Sequence, residues 1–184
     1  MSISELPELS ILAEMPPEAF KEYTERIRNN EIFVLRNAFS VTEVSDWVAY
    51  LTQVGRNSLA NYQAIQRGAP NFHRISEWDP RSHVGACFHQ FSFFPWNSDV
   101  FGLFQRTRKV FELKNLLSGN DSEQFLRAPE SNRIVPRISF QFYPRGGGGL
   151  RMHSDPVSAY QLTVPTLTMS QKGEDFTHGG AYVV

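Results

Sequence analysis

Apolar positions recur along this 184-residue chain at two spacings, helical in its first part and alternating in its last. Pro16-Pro17 leads into "EAFKEYTERIRNN", where Phe20, Tyr23 and Ile27 share one side of a 3.6-residue period, so a helix is predicted. The β-branched and aromatic run "EIFVLRNAF" then reads as a strand. Ser40 and Glu43 form a capping box ahead of a second helix, which sets Val44, Trp47, Val48 and Leu51 on one face and has Gly55 as its stop. Farther on, "ACFHQFSFF" is an apolar strand ended by Pro95. Asn97 or Ser98 is expected to cap a helix carrying Val100, Phe104, Phe111 and Leu117 toward Gly119. "SGNDSEQFLRAPESN" is polar and turn-rich, hence a surface connection.

The last third changes period. In "RIVPRISFQFY", Ile134, Pro136, Ile138, Phe140 and Phe142 share one face, while Arg137, Ser139, Gln141 and Tyr143 share the other. Such a polar face meets water in an open sheet, or lines a pocket in a small barrel or jelly roll. "AYQLTVPTLTMS" is a second strand region in which Pro165 forces a break, bulge or edge position. "QKGED" is a turn and "GGAYVV" opens a third strand. Helices first and strands last, without βαβ alternation, predict an α+β fold with a mainly antiparallel β core and helices packed outside it. Length and the absence of repeats fit a single domain over 1–184, with a helical part at 1–130 and the β core at 131–184.

Composition narrows the classes. Hydrophobic residues at 41% against charged residues at 20% exclude a disordered chain. A net charge of −1 gives no electrostatic case for nucleic acid or an anionic membrane as partner. Cys87 stands alone, which excludes an internal disulfide framework and suits a reducing compartment. With no signal peptide at the N-terminus and no stretch of membrane-spanning length, a cytoplasmic location is expected.

The chemistry concentrates in "FYPRGGGGLRMHSDP" at 142–156. On an extended chain His153 and Asp155 share a face, and an imidazole with a carboxylate supplies two of the three ligands of the facial triad that holds non-haem Fe(II). The rival reading is a chance pairing beside a flexible glycine hairpin, and the glycines lack the spacing and lysine of a phosphate-binding loop. His73, His83 and His89 match no zinc spacing and read as loop or pocket histidines. Phe88, Phe91, Phe93, Phe94 and Trp96 read as core packing, or alternatively as the wall of a dry substrate pocket. Arg137 and Gln141, on the face of Tyr143, either bind acid groups or belong to an internal polar network.

Taken in order, Tyr143-Pro144, Gly146 to Gly149, His153 and Asp155, and then Gly179-Gly180 resemble the Fe(II)- and 2-oxoglutarate-dependent oxygenases of the prolyl-hydroxylase-like branch. The resemblance covers residues 134 to 184. It implies a double-stranded β-helix, the cupin-like jelly roll. His153 and Asp155 become metal ligands, and Tyr143 a contact to 2-oxoglutarate. Fe(II) and 2-oxoglutarate are the implied cofactor and co-substrate, with ascorbate as a candidate stimulant. The implied reaction is hydroxylation of a small molecule or a protein side chain, coupled to decarboxylation of 2-oxoglutarate to succinate. The retained carboxylate of Asp155 argues against the halogenating members. The family's second histidine ligand and the basic residue that grips 2-oxoglutarate lie beyond the Gly-Gly, where this sequence shows neither; His178 precedes the glycines. A C-terminally truncated oxygenase with an incomplete barrel is therefore expected. The alternative is a non-catalytic cupin-like binding module or an inactive fragment.

Overall fold

The computed structural model describes residues 2–59, 72–75, 86–99, 101–126, 134–158 and 161–182, with the backbone alone at 72–75, 86 and 87. Two compact units divide the chain: Met1–Val48, Arg108–Ser122 and Val157–Val184 form the first, and Ala49–Thr107 with Glu123–Pro156 the second.

In the first unit, strand β1 (Ser2–Glu5) lies parallel to β2 (Glu31–Val34), with α1 (Leu9–Glu14), a 3-10 turn (Pro17–Ala19) and α2 (Phe20–Arg28) between them. The helical spacing read from the sequence is realised in α2. Phe20 is buried, and Tyr23 and Ile27 pack on the same core, which joins Leu12, Leu113 and Leu117. Asn30, at φ 62, ends the helix in the left-handed region that asparagine tolerates. Glu31 then starts β2 and fastens it back to both neighbours. Its carboxylate takes Arg26 Nε at 2.8 Å and Nη2 at 2.7 Å, and also accepts from Ser4 Oγ on β1. The Arg26 guanidinium lies 4.9 Å from the Phe33 ring centre, so its planar face is used as well as its donors. This paired, hydrogen-bonded setting draws the Glu31 carboxyl from 4.5 to about 2, with the Arg26 hydrogen bonds as the main cause.

Helix α3 (Val41–Asn57) opens on the expected capping box: Glu43 N donates to Ser40 Oγ at 3.2 Å, and Ser40 N to Glu43 Oε2 at 3.0 Å. Trp47 and Leu51 are its buried residues, as the periodicity predicts. Its expected stop is corrected, because the helix continues two residues beyond Gly55. Gly55 is there for space: a Cβ at that position would stand 2.3 Å from Phe91 Cζ in the second unit, to which Gly55 also belongs. The cap of α4 (Leu103–Leu117) is also corrected. Asp99 fills that role, accepting from Leu103 N at 2.7 Å and Phe104 N at 2.8 Å, while Asn97 Oδ1 is engaged by Phe94 N. Gly119, at φ 77, follows the helix as expected.

The second unit holds a three-stranded antiparallel sheet ordered β3 (Phe72–Ile75), β5 (His89–Phe93), β6 (Ile138–Phe142), and a short pair of β4 (Ala86–Cys87) with β7 (Gly149–Leu150). Residues 2–93 thus contribute five strands as well as helices, and none of the sheets closes into a barrel among the described residues. The strand expected over "AYQLTVPTLTMS" forms no ladder among its described residues, which show only a Ser158–Gln161 bridge. Pro165 offers no amide to such a ladder. The turn at "QKGED" is present, closed by Gly173 N to Phe176 O at 2.8 Å, whereas the described part of "GGAYVV" is not a strand. Among the described residues no helix is long and apolar enough to cross a membrane.

Candidate functional site

Strands β5 and β6 frame the site. Their register faces Phe91 with Phe140 and Gln90 with Gln141, and residues directly opposite share a side of the sheet. One side is aromatic, with Phe91 6.2 Å from Phe140 and 5.9 Å from Phe142 between ring centres. The other side is polar and carries one connected chain of hydrogen bonds. Tyr143 Oη donates to Gln141 Oε1 at 2.9 Å, Gln141 Nε2 to Gln90 Oε1 at 3.4 Å, and Gln90 Nε2 to Ser92 Oγ at 3.2 Å. Ser92 Oγ is in turn 3.2 Å from Ser139 Oγ.

The alternation in "RIVPRISFQFY" is therefore real, but its polar row is not enclosed. Arg137, Ser139, Gln141 and Tyr143 are exposed, because β6 is the edge strand of the described sheet. Burial falls on the central strand, where Gln90 is 3% and Ser92 0% exposed. The aromatic crowd is core, with Phe88, Phe91, Phe93 and Phe94 buried and Trp96 stacked on Phe94 at 5.1 Å.

The glycine run is an insertion in a ladder. Continuing the β5–β6 register would set Cys87 opposite Pro144, yet Cys87 faces Gly149. Five residues, 144–148, are thus extruded between two stretches of antiparallel pairing. Gly148 N closes the loop on Pro144 O at 2.9 Å. A Cβ on Gly148 would lie 2.6 Å from both the N and the O of Pro144, and Gly146 stands at φ +84, so these two positions require glycine. Gly147 and Gly149 meet no other described residue within 4 Å. At the loop's entrance the Tyr143 ring lies 5.9 Å from buried Phe88, and partial desolvation raises the half-covered phenol above its ordinary value, which keeps the hydroxyl proton in place as a donor.

His153 and Asp155 follow β7 on a segment with no regular secondary structure. His153 Nδ1 is 2.9 Å from Arg151 O, and because a carbonyl only accepts, Nδ1 must carry the proton. Nε2 is left 3.8 Å from Asp155 Oδ1. That separation is too long for a hydrogen bond. It is short enough for one cation to touch both atoms, since bonds from nitrogen and oxygen to such an ion run about 2.0–2.2 Å. The imidazole side chain is 29% exposed and the carboxylate 59%, so an ion can reach both from solvent. A carbonyl that fixes the tautomer of a ligating histidine is a recurrent support of metal sites. The donor set fits the implied metal at two positions. Among the described residues no group of three or more His, Cys, Asp or Glu converges, so the third donor is not part of this geometry.

Of the other histidines, His178 is exposed with Nδ1 2.9 Å from Thr177 Oγ1 in the first unit, and His89 is half-buried opposite Phe142. His73 pairs with Phe91 through the backbone, and His83 lies outside the described residues. The alternation in the sequence set Ser139, Gln141 and Tyr143 on one face but did not show Gln90 and Ser92 as their partners. The signal was present in "HQFSFF", where polar residues alternate with apolar ones. No family model, no curated protein and no solved structure matches the chain.

Proposed function

We propose that this protein is an Fe(II)- and 2-oxoglutarate-dependent dioxygenase that hydroxylates a small molecule or a protein side chain, built on a jelly-roll core of which β5 and β6 are part. One observation carries the reading: an imidazole oriented by the Arg151 carbonyl aims Nε2 toward a carboxylate oxygen 3.8 Å away. Two lone-pair donors at that distance repel each other unless a proton or a cation lies between them. In this account His153 and Asp155 hold the metal, the remaining donor lies outside the described residues, and Tyr143 donates its retained phenol proton to a carboxylate of 2-oxoglutarate. When bound, the metal supplies the oxygen chemistry; the protein's part is to orient donors and co-substrate.

The test is turnover of 2-oxoglutarate to succinate by the whole gene product with Fe(II) and ascorbate, compared with the His153→Ala and Asp155→Ala proteins. Succinate formation that depends on Fe(II) and is lost in both variants supports the reading. Folded protein with no Fe(II)-dependent turnover favours a non-catalytic cupin-like binding module. Equal turnover in the variants removes His153 and Asp155 from the site.

A further inference from the structure

From Tyr143 through Gln141 and Gln90 to Ser92 the hydrogen bonds on the polar face run in one direction, and this fixes how Tyr143 can meet a ligand. The phenol has one proton, and it points at Gln141 Oε1, 2.9 Å away. Gln141 presents that oxygen because its own amide nitrogen is directed to Gln90 Oε1. Gln90 is buried and donates onward to Ser92, which is fully buried. The acceptor facing Tyr143 is therefore held by a chain anchored in the interior of the sheet. Tyr143 and Gln141 themselves are exposed, so a ligand can reach both. A carboxylate arriving at Tyr143 can accept the phenol proton only by taking it from the Gln141 amide oxygen.

We propose that Gln141 is a positioning residue that gates co-substrate entry: its side-chain oxygen competes intramolecularly with 2-oxoglutarate for the Tyr143 hydroxyl. This rests on the oxygenase reading above for the identity of the ligand; the hydrogen bond itself does not. A carboxylate is the stronger acceptor, so it displaces the amide and forfeits part of its binding energy in doing so. The competing bond is neutral and its net worth corresponds to about a threefold to tenfold change in affinity. Gln90, which touches neither phenol nor ligand in this scheme, acts on the gate through Gln141.

The experiment measures 2-oxoglutarate binding calorimetrically on the whole gene product, loaded with Mn(II) under argon so that no turnover intervenes. Gln141→Leu is expected to tighten 2-oxoglutarate binding about threefold to tenfold. The double variant Gln141→Leu/Tyr143→Phe is expected to bind no better than Tyr143→Phe alone. A second readout is tyrosinate absorbance against pH, with the Tyr143→Phe protein subtracted. Loss of its acceptor should shift Tyr143 titration downward in Gln141→Leu, since the neutral phenol loses a stabilising partner. Equal or weaker binding by Gln141→Leu overturns the gate while leaving the co-substrate reading intact. An unmoved phenol titration also overturns it, because the Tyr143–Gln141 bond then does not exist in solution. Absence of 2-oxoglutarate uptake by both proteins, with the phenol shift present, overturns the co-substrate reading and the gate together.

Discussion

Four consecutive glycines should respond to the same substitution in three different ways. An alanine methyl at Gly148 would sit 2.6 Å from the backbone N and O of Pro144, where real Cβ contacts stay beyond 3.0 Å. The neighbour is backbone and cannot rotate aside, so the loop must open. Opening gives up the Gly148–Pro144 hydrogen bond, worth about 0.5–1.5 kcal/mol. The residual overlap adds about 1–3 kcal/mol. Gly148→Ala should therefore destabilise the protein by about 2–4 kcal/mol. Gly146→Ala, at φ +84 but with free space around it, should cost about 1–2 kcal/mol for the left-handed backbone alone. Among the described residues, Gly147 and Gly149 meet nothing within 4 Å, and neither has a positive φ. Alanine there should be neutral or stabilising by about 0.4–1 kcal/mol through the unfolded chain. Urea denaturation of the four single variants gives the ranking directly. Equal effects at 147 and 148, or no effect at 148, would show that residues 144–148 are a loose hairpin rather than a fixed insertion in the ladder.

Other perturbations bear on the frame around the site. Gly55→Ala should destabilise even though alanine is worth about 1 kcal/mol over glycine inside a helix, because the new methyl would stand 2.3 Å from the Phe91 ring; a higher melting temperature would refute the packing. Asp99→Ala removes acceptors for two amides at the start of α4 and should cost about 0.5–2 kcal/mol in denaturant titration, whereas Asn97→Ala should leave that helix end intact. The Glu31 carboxyl is held at about 2 against an ordinary 4.5. Its contribution is fully present above pH 4.5 and is lost as the pH falls from there toward 2, so Glu31→Gln should flatten the acid limb of the stability curve in that window. An unchanged acid limb would mean that the Arg26–Glu31 pairing is not maintained in solution.

What could be read from the sequence was local in origin. The Ser40–Glu43 box joins residues three apart, and the apolar face of α2 needs only its own period. The alternation of β6 was equally visible, and with it the polar face of Ser139, Gln141 and Tyr143 that forms the row. Features set by distant partners were not. Strand β1 exists through parallel pairing with β2, 29 positions along the chain, and nothing in "SISE" announces it. Gly55 resembles a helix stop until Phe91 is known to lie over it. Asn97, Ser98 and Asp99 are all competent caps; Asn97 is taken up by the Phe94 amide, and Asp99 accepts from the amides of Leu103 and Phe104. Gln90 and Ser92 were submerged in an aromatic run, and only the register with β6 reveals them as the buried half of a hydrogen-bonded row. Similarly, the glycine run suggested flexibility, and only the offset between the Cys87–Gly149 and His89–Phe142 pairs identifies it as an insertion.

The claim at the centre of this account is that His153 and Asp155 hold one metal ion, and Fe(II) uptake by anaerobic equilibrium dialysis tests it most directly. The whole gene product, His153→Ala, Asp155→Asn and His178→Ala should be compared at equal concentration, with folding checked by circular dichroism. One tightly held ion per chain is expected in the parent protein, with that ion lost in both His153→Ala and Asp155→Asn and retained in His178→Ala. Stoichiometric binding that survives in folded His153→Ala or Asp155→Asn protein would contradict it.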